Sequence, residues 1–207
     1  MNKTESENFT PAFQQIFADL SSKNDEKCVL VVGRLVEDFL REGIEARLQP
    51  ERSKQDNVSR NLKGSFAFKI DLAYRIGLIP SKEANVYHQL REIRNKCAHE
   101  VADQDFEKEH FKARMINIIK DSDELWNAIK KAKLAKQPDE NTNSVEDFVE
   151  GLGWRVAFDL LFSLVLAHKQ VSRDRVYQVS RLYDPPLARL KQHMGIVEAP
   201  EPATPTS

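Results

Sequence analysis

The sequence predicts an all-α protein: a multi-helix bundle with an appended C-terminal helical pair. Three observations carry this. Glycine is scarce at 7 of 207 residues, period-two alternation is almost absent, and apolar residues recur three and four apart, the spacing of one buried helix face. With 41% hydrophobic residues, the chain can fill one ordinary core, or one core with a further subdomain.

Residues 1–9 read as a flexible N-terminus. Thr10-Pro11 then looks like a helix N-cap followed by proline at the first helical position, where its missing N–H costs nothing. Phe13, Ile16, Phe17 and Leu20 follow at helical spacing. A longer helix is expected from Asp25 to Leu48, with Asp25 and Glu26 in the first turn, where the helix dipole favours negative charge. Val31, Val32, Leu35, Phe39 and Ile44 mark its apolar stripe, with Gly33 and Gly43 as weak points or close-packing sites. Residues 49–64 form a polar connection with room for one short helical turn.

Helix signals resume at Ser65, where Phe66, Phe68, Ile70, Leu72, Ala73 and Ile76 predict a segment buried on most sides. Gly77 suits a C-terminal cap, and Ile79-Pro80 confirms the stop. Ser81 can cap the next helix, whose Val86, Leu90, Ile93 and Cys97 step by four, three and four. Two more helices are predicted over 105–120 and 122–136, the second capped by Ser122. These elements make one domain over 10–136, and QPDENTN at 137–143 is a linker. The C-terminal pair, 144–184, divides into a helix from Ser144 to about Lys169 and a shorter one from Ser172. Residues 185–207, rich in Pro, Ala and Thr, are expected to be mostly disordered.

Formal charge is −1, from 31 basic and 32 acidic residues. No global field recruits nucleic acid, so polyanion binding would need a local cluster of Lys and Arg. Cys28 and Cys97 lie in apolar helical patterns without zinc-ligand spacing, and read as buried free thiols in a reducing compartment. The start, MNKTESENFT, lacks the apolar run of a signal peptide. Leu152–Ala167 is interrupted by Arg155 and Asp159 and is short for a bilayer. These features point to a cytoplasmic protein without a membrane segment.

The candidate site is REIRNKCAHE, residues 91–100. On a helix, Arg91, Asn95 and His99 share one stripe, whereas Arg94, five residues before His99, faces elsewhere. Asn95 is placed to hydrogen-bond the His99 imidazole and fix its tautomer. Arg94 and His99 converge on one substrate if the helix ends or distorts near Ala98, or if a symmetric dimer joins two such helices. An imidazole beside a guanidinium suits metal-independent RNA cleavage: histidine moves protons and arginine stabilises charge growing on the phosphate. The plainer reading is the polar end of a helix, where cations offset the dipole.

Arg94-Asn95-Lys96-Cys97-Ala98-His99 resembles the Arg-polar-x-x-x-His motif of the HEPN superfamily, small all-helical domains that include many metal-independent ribonucleases. The wider stretch GSFAFKIDLAYRIGLIPSKEANVYHQLREIRNKCAHE, Gly64–Glu100, resembles the mannitol operon repressor family, with its segment Lys69-Ile70-Asp71-Leu72-Ala73-Tyr74 and its Gly-Leu-Ile turn. The likeness covers residues 28–135, most closely in that stretch. It implies a HEPN-like helical frame and one of two functions. The first is an intracellular regulator acting through protein or RNA contacts without reading DNA bases. The second is an endoribonuclease, a toxin or antiviral effector, with Arg94 and His99 as the chemical pair and Asn95 as orienter.

Other features are weaker. His88 and His110 sit in polar helical surface, and the single E-x-x-H pair Glu107/His110 lacks the second pair a di-iron bundle needs. No metal or small-molecule cofactor is expected. Lys130, Lys131 and Lys133, with Arg91 and Lys96, are the candidate nucleic-acid contacts, yet no helix-turn-helix signature accompanies them. Glu37, Asp38, Glu42 and Glu45 read as ordinary surface pairing with Arg34, Arg41 and Arg47. Val149, Leu152, Trp154, Val156, Phe158, Leu160, Phe162, Val165 and Leu166 form more apolar surface than a lone hairpin hides. That face must fold onto the bundle or pair with another chain, so a homodimer is expected, alongside a regulatory or antitoxin-like protein partner or RNA.

Overall fold

The computed structural model describes residues 3–48, 57–99, 106–122 and 145–181. Among these residues it is all-α, with eight helices and no strand: α1 Lys3–Ser21, α2 Asp25–Glu45, α3 Asn57–Gly64, α4 Phe66–Arg75, α5 Ser81–His99, α6 Glu109–Asp121, α7 Val145–Leu152 and α8 Trp154–Arg181. The helix expected over 122–136, the linker at 137–143 and the tail from 185 lie outside the described residues, apart from Ser122, which ends α6.

Several helix ends follow directly from local chemistry. Asn24 caps α2, its side chain accepting from the Lys27 N–H at 3.0 Å, and Asp25 and Glu26 occupy the first turn as the dipole favours. Ser65 caps α4 by accepting from the Phe68 N–H at 3.1 Å. That helix closes with paired bonds from Leu78 N–H to the Ala73 carbonyl (2.8 Å) and from Gly77 N–H to the Tyr74 carbonyl (3.0 Å), which absorb carbonyls the last turn leaves open.

Four expectations need correction. The first helix starts at Lys3, not at Thr10, so Pro11 lies inside it. Proline has helical φ, but it lacks the N–H for the Glu7 carbonyl and its ring crowds that carbonyl; Pro11 is exposed, so water can satisfy the Glu7 oxygen. The buried stripe of α2 is Cys28, Val32, Val36, Leu40 and Ile44 with Val29; of the expected stripe, Val32 and Ile44 are buried, Val31 and Phe39 only half-buried, and Leu35 is 42% exposed. Ser81 is the first helical residue of α5 rather than its cap; the Pro80 carbonyl accepts the Ala84 N–H at 3.0 Å. The C-terminal pair divides at Gly153, not near Ser172. Gly153 has φ +88°, a conformation that penalises any Cβ, and α8 then runs unbroken to Arg181.

Most of the apolar surface after Ser144 is spent inside the molecule, although Val156 is exposed and Leu160 half-buried. Val149, Trp154, Phe158, Phe162 and Leu166 join Leu20, Cys28, Val32, Leu90, Phe106, Phe111 and Met115 in one cluster. Its aromatic centre is Phe158, whose ring lies 5.1 Å from Phe106 and 4.6 Å from Phe162. In α5, the predicted stripe Val86, Leu90, Ile93 and Cys97 is buried. That fixes which side of α5 faces inward and, with it, where the polar residues of REIRNKCAHE can point. Among the described residues no helix is long and apolar enough to cross a membrane.

Candidate functional site

α5 stays helical through Ala98 to His99. The distortion that would swing Arg94 and His99 together within one chain is absent there, and regular geometry leaves them about 140° apart around the axis. Asn95 is exposed, whereas Arg91 and Lys96 are half-buried. Arg91 pairs with its neighbour Glu92. The imidazole of His99 lies outside the described side chains, and Lys130, Lys131 and Lys133 outside the described residues.

Arg94 points inward, toward α2 and α4. Its Nη1 donates to Glu37 Oε2 at 3.0 Å, and its guanidinium carbon lies 5.4 Å from the centre of the Phe66 ring, a cation–π contact. The side chain lies across Gly33 of α2: a Cβ there would stand 2.7 Å from Arg94 Cδ, so the glycine is the space the arginine occupies. The other oxygen of Glu37, Oε1, accepts from Lys69 Nζ at 2.7 Å. Lys69 is only 2% exposed. One carboxylate of α2 thus bridges a cation from α4 and a cation from α5. Buried charge is tolerated only when paired, and removing one partner of such a pair is costly. Geometrically this is a brace across three helices.

Sequence reasoning gave Glu37 to the solvent-exposed face of α2 and had no role for Lys69 beyond the family segment. A signal was present. Lys69 falls on the buried row of Phe66, Ile70 and Ala73, where a cation requires an anion from a neighbouring helix.

A second polar cluster was missed. Arg155 and Asp159, read as breaks in an apolar run, form an i,i+4 pair at the start of α8. Arg155 Nε donates to both Asp159 oxygens at 3.0 Å, Nη1 to Asp25 Oδ1 at 2.6 Å and Nη2 to the Leu20 carbonyl at 2.7 Å. Asp159, 2% exposed, also accepts from the Cys28 thiol at 3.2 Å and the Ser21 hydroxyl at 3.3 Å. This cluster ties the end of α1 and the start of α2 to α8. Burial, and then the adjacent Asp159 carboxylate, push the Cys28 thiol far above its ordinary value, so it stays protonated and unreactive. Both cysteines are buried free thiols, as their apolar settings predict.

A third cluster joins α5 to α8. Glu83 Oε1 accepts from the Tyr87 hydroxyl at 2.6 Å and pairs with Lys169 Nζ at 2.6 Å. Burial first, then the Glu83 charge, raise the Tyr87 phenol well above its ordinary value. On the surface, His88 Nε2 meets Asp71 Oδ1 at 3.0 Å, a carboxylate partner that the sequence did not suggest. Glu107 pairs with Lys112 at 2.8 Å. Among the described residues no group of three or more His, Cys, Asp or Glu is placed to hold a metal ion.

Set against known proteins, the chain matches no protein family, no curated protein and no solved structure.

Proposed function

We propose that this chain is a non-catalytic regulatory protein that works by binding another macromolecule without reading DNA bases, as its resemblance to the mannitol operon repressor family implies. The observation that carries this reading is the meeting of Lys69 and Arg94 on Glu37. Lys69 comes from KIDLAY, which carries the repressor resemblance, and Arg94 from RNKCAH, the stretch that resembles the HEPN motif. A guanidinium already bonded to a carboxylate, laid over Phe66 and fitted against Gly33, holds helices together. A nuclease would need the same group aimed at a phosphate and brought near His99.

The outward half of KIDLAY supplies a contact surface. Tyr74 is 50% exposed, and the Asp71–His88 pair flanks it from α4 and α5. An exposed tyrosine beside adaptable polar groups is a common anchor of protein interfaces. Replacing Tyr74 with Ala is expected to change stability by no more than about 0.5 kcal/mol while removing regulation in the cell, measured on a reporter of the regulated operon.

The experiment that decides between regulator and nuclease is incubation of the purified chain with a panel of single-stranded RNAs in the presence of a chelator. Intact RNA across the panel, for wild type and for His99→Ala alike, is the expected result. Cleavage that Arg94→Lys and His99→Ala each reduce by about two orders of magnitude, the scale of a lost general acid or base, would overturn the proposal.

A further inference from the structure

Building on the regulatory reading above, we infer that the α4 face around Tyr74 and Arg75 docks an acidic segment of a protein partner. Both side chains are exposed, in the last turn of α4 before the chain enters α5. Among the described residues, the Tyr74 hydroxyl and the Arg75 guanidinium make no hydrogen bond or ion pair. Arg75 has a carboxylate within reach on its own helix, since Asp71 lies four residues earlier, the spacing at which helical ion pairs form. Asp71 is turned to α5 instead, where its Oδ1 meets His88 Nε2 at 3.0 Å. The other carboxylate of the α4–α5 hairpin up to His88, Glu83, is held by Tyr87 and Lys169. On the buried side of α4, Lys69 is matched by Glu37. What stays open beside Tyr74 is therefore a guanidinium, with a second exposed cation, Lys82, across the turn.

These groups identify the occupant. A guanidinium only donates hydrogen bonds, in a planar fork that matches a carboxylate. The tyrosine next to it offers an apolar ring with a polar tip. The complementary ligand is a short segment that sets an Asp or Glu beside an apolar side chain. A nucleic-acid strand fits less well, because its affinity grows with cations clustered along successive phosphates, and here the Asp71 carboxylate stands one turn from Arg75. A second copy centred on this face would bring Arg75 close to its own counterpart across a two-fold axis, a meeting of like charges.

The packing of the turn also supplies a control position. A Cβ on Gly43 would stand 2.8 Å from Leu78 Cδ2, so the α4–α5 turn lies at the C-terminal end of α2. Lys27, exposed in the first turn of α2, is about 24 Å from Gly43 along that helix.

Selection of random short peptides displayed on phage against the full chain tests this, followed by fluorescence anisotropy with the enriched peptides. Those peptides should carry Asp or Glu beside an apolar residue. Arg75→Glu should weaken their binding at least about tenfold, since like charges then meet, and Tyr74→Ala should weaken it as much by removing the anchor. Lys27→Glu, the same change of charge elsewhere, should bind as wild type does. Replacing the acid of a peptide with lysine should remove binding to wild type and restore it to Arg75→Glu. All three substituted positions are exposed, and circular dichroism checks that the fold persists. A selection without acidic enrichment overturns the inference. So does binding that Arg75→Glu and Tyr74→Ala leave unchanged, or that Lys27→Glu weakens equally. A single-stranded RNA oligonucleotide or a second copy of the chain that binds through Tyr74 and Arg75 in place of such peptides overturns it as well. Acidic peptides bound as expected, with a reporter that stays regulated in Tyr74→Ala, would uphold the docking face and end the regulatory reading, so the two fail separately.

Discussion

Arg94 shows how one side chain can satisfy a motif and still serve the scaffold. Its spacing to His99 fits a nuclease pattern, but the guanidinium faces Glu37, Phe66 and the space at Gly33. Because Glu37 is the shared anion, its loss should matter most. Glu37→Gln is expected to cost about 3 kcal/mol in urea unfolding, the scale for breaking a buried pair from one side, since Lys69 is left with a neutral partner. The raised Cys28 thiol and Tyr87 phenol make an alkaline prediction. Both keep their protons in the folded state but lose them in the unfolded chain above their ordinary values of 9.0 and 10.0. Above those values the unfolded state binds fewer protons, so stability falls as pH rises, by up to about 1.4 kcal/mol per pH unit for each group. Below pH 9 the full stabilisation is present. Cys28→Ser, which keeps a hydrogen-bond donor, should flatten the decline from pH 9, and Tyr87→Phe the decline from pH 10, in melts between pH 8 and 11. Unchanged slopes would contradict the assignment. Sequence alone exposed Arg94 as notable and hid Glu37, because a partner 57 residues away leaves no local spacing to read.

Helices were legible where amphipathic spacing and end chemistry agree. α5 shows the spacing, with Val86, Leu90, Ile93 and Cys97 buried as their steps predict, although Ser81 is its first residue and not its cap. Gly77 closes α4 for the reason its position implies. In α2 the row of Leu35 and Phe39 is as apolar as the row of Val36 and Leu40, so periodicity alone does not choose between them. The packing of Gly33 under Arg94 helps decide which row faces in. At Gly153 the apolar residues on either side continue at helical spacing, which hides the break that Gly151 and Gly153 together could signal. Since its φ is +88°, Gly153→Ala should destabilise the protein by about 1–2 kcal/mol, the cost of a left-handed residue, measured as a lower urea midpoint at constant slope. A neutral result would mean that the α7–α8 junction takes another form.

Across the molecule, the C-terminal helices are not an appendage. α8 shares one core with α1, α2, α5 and α6, and three polar clusters fasten the helices around it: Glu37 with Lys69 and Arg94, Asp159 with Arg155 and Cys28, and Glu83 with Tyr87 and Lys169. Such a frame gives the regulator proposed above a rigid surface at Tyr74, which is half exposed. All-α class was readable from period and glycine content. The clusters were legible only in part: Arg155–Asp159 and Glu83–Tyr87 are four residues apart, whereas Glu37, Cys28 and Lys169 reach their partners from distant stretches. The central claim is that Arg94 acts through Glu37, and a double-mutant cycle measures that coupling directly. Unfolding free energies of wild type, Glu37→Gln, Arg94→Met and the double variant should be non-additive by about 1–2 kcal/mol, within the range for contacting residues. The double variant should be less damaged than the sum of its parts. Additivity within about 0.5 kcal/mol, as for residues that do not interact, would contradict the brace and return Arg94 to the nuclease reading.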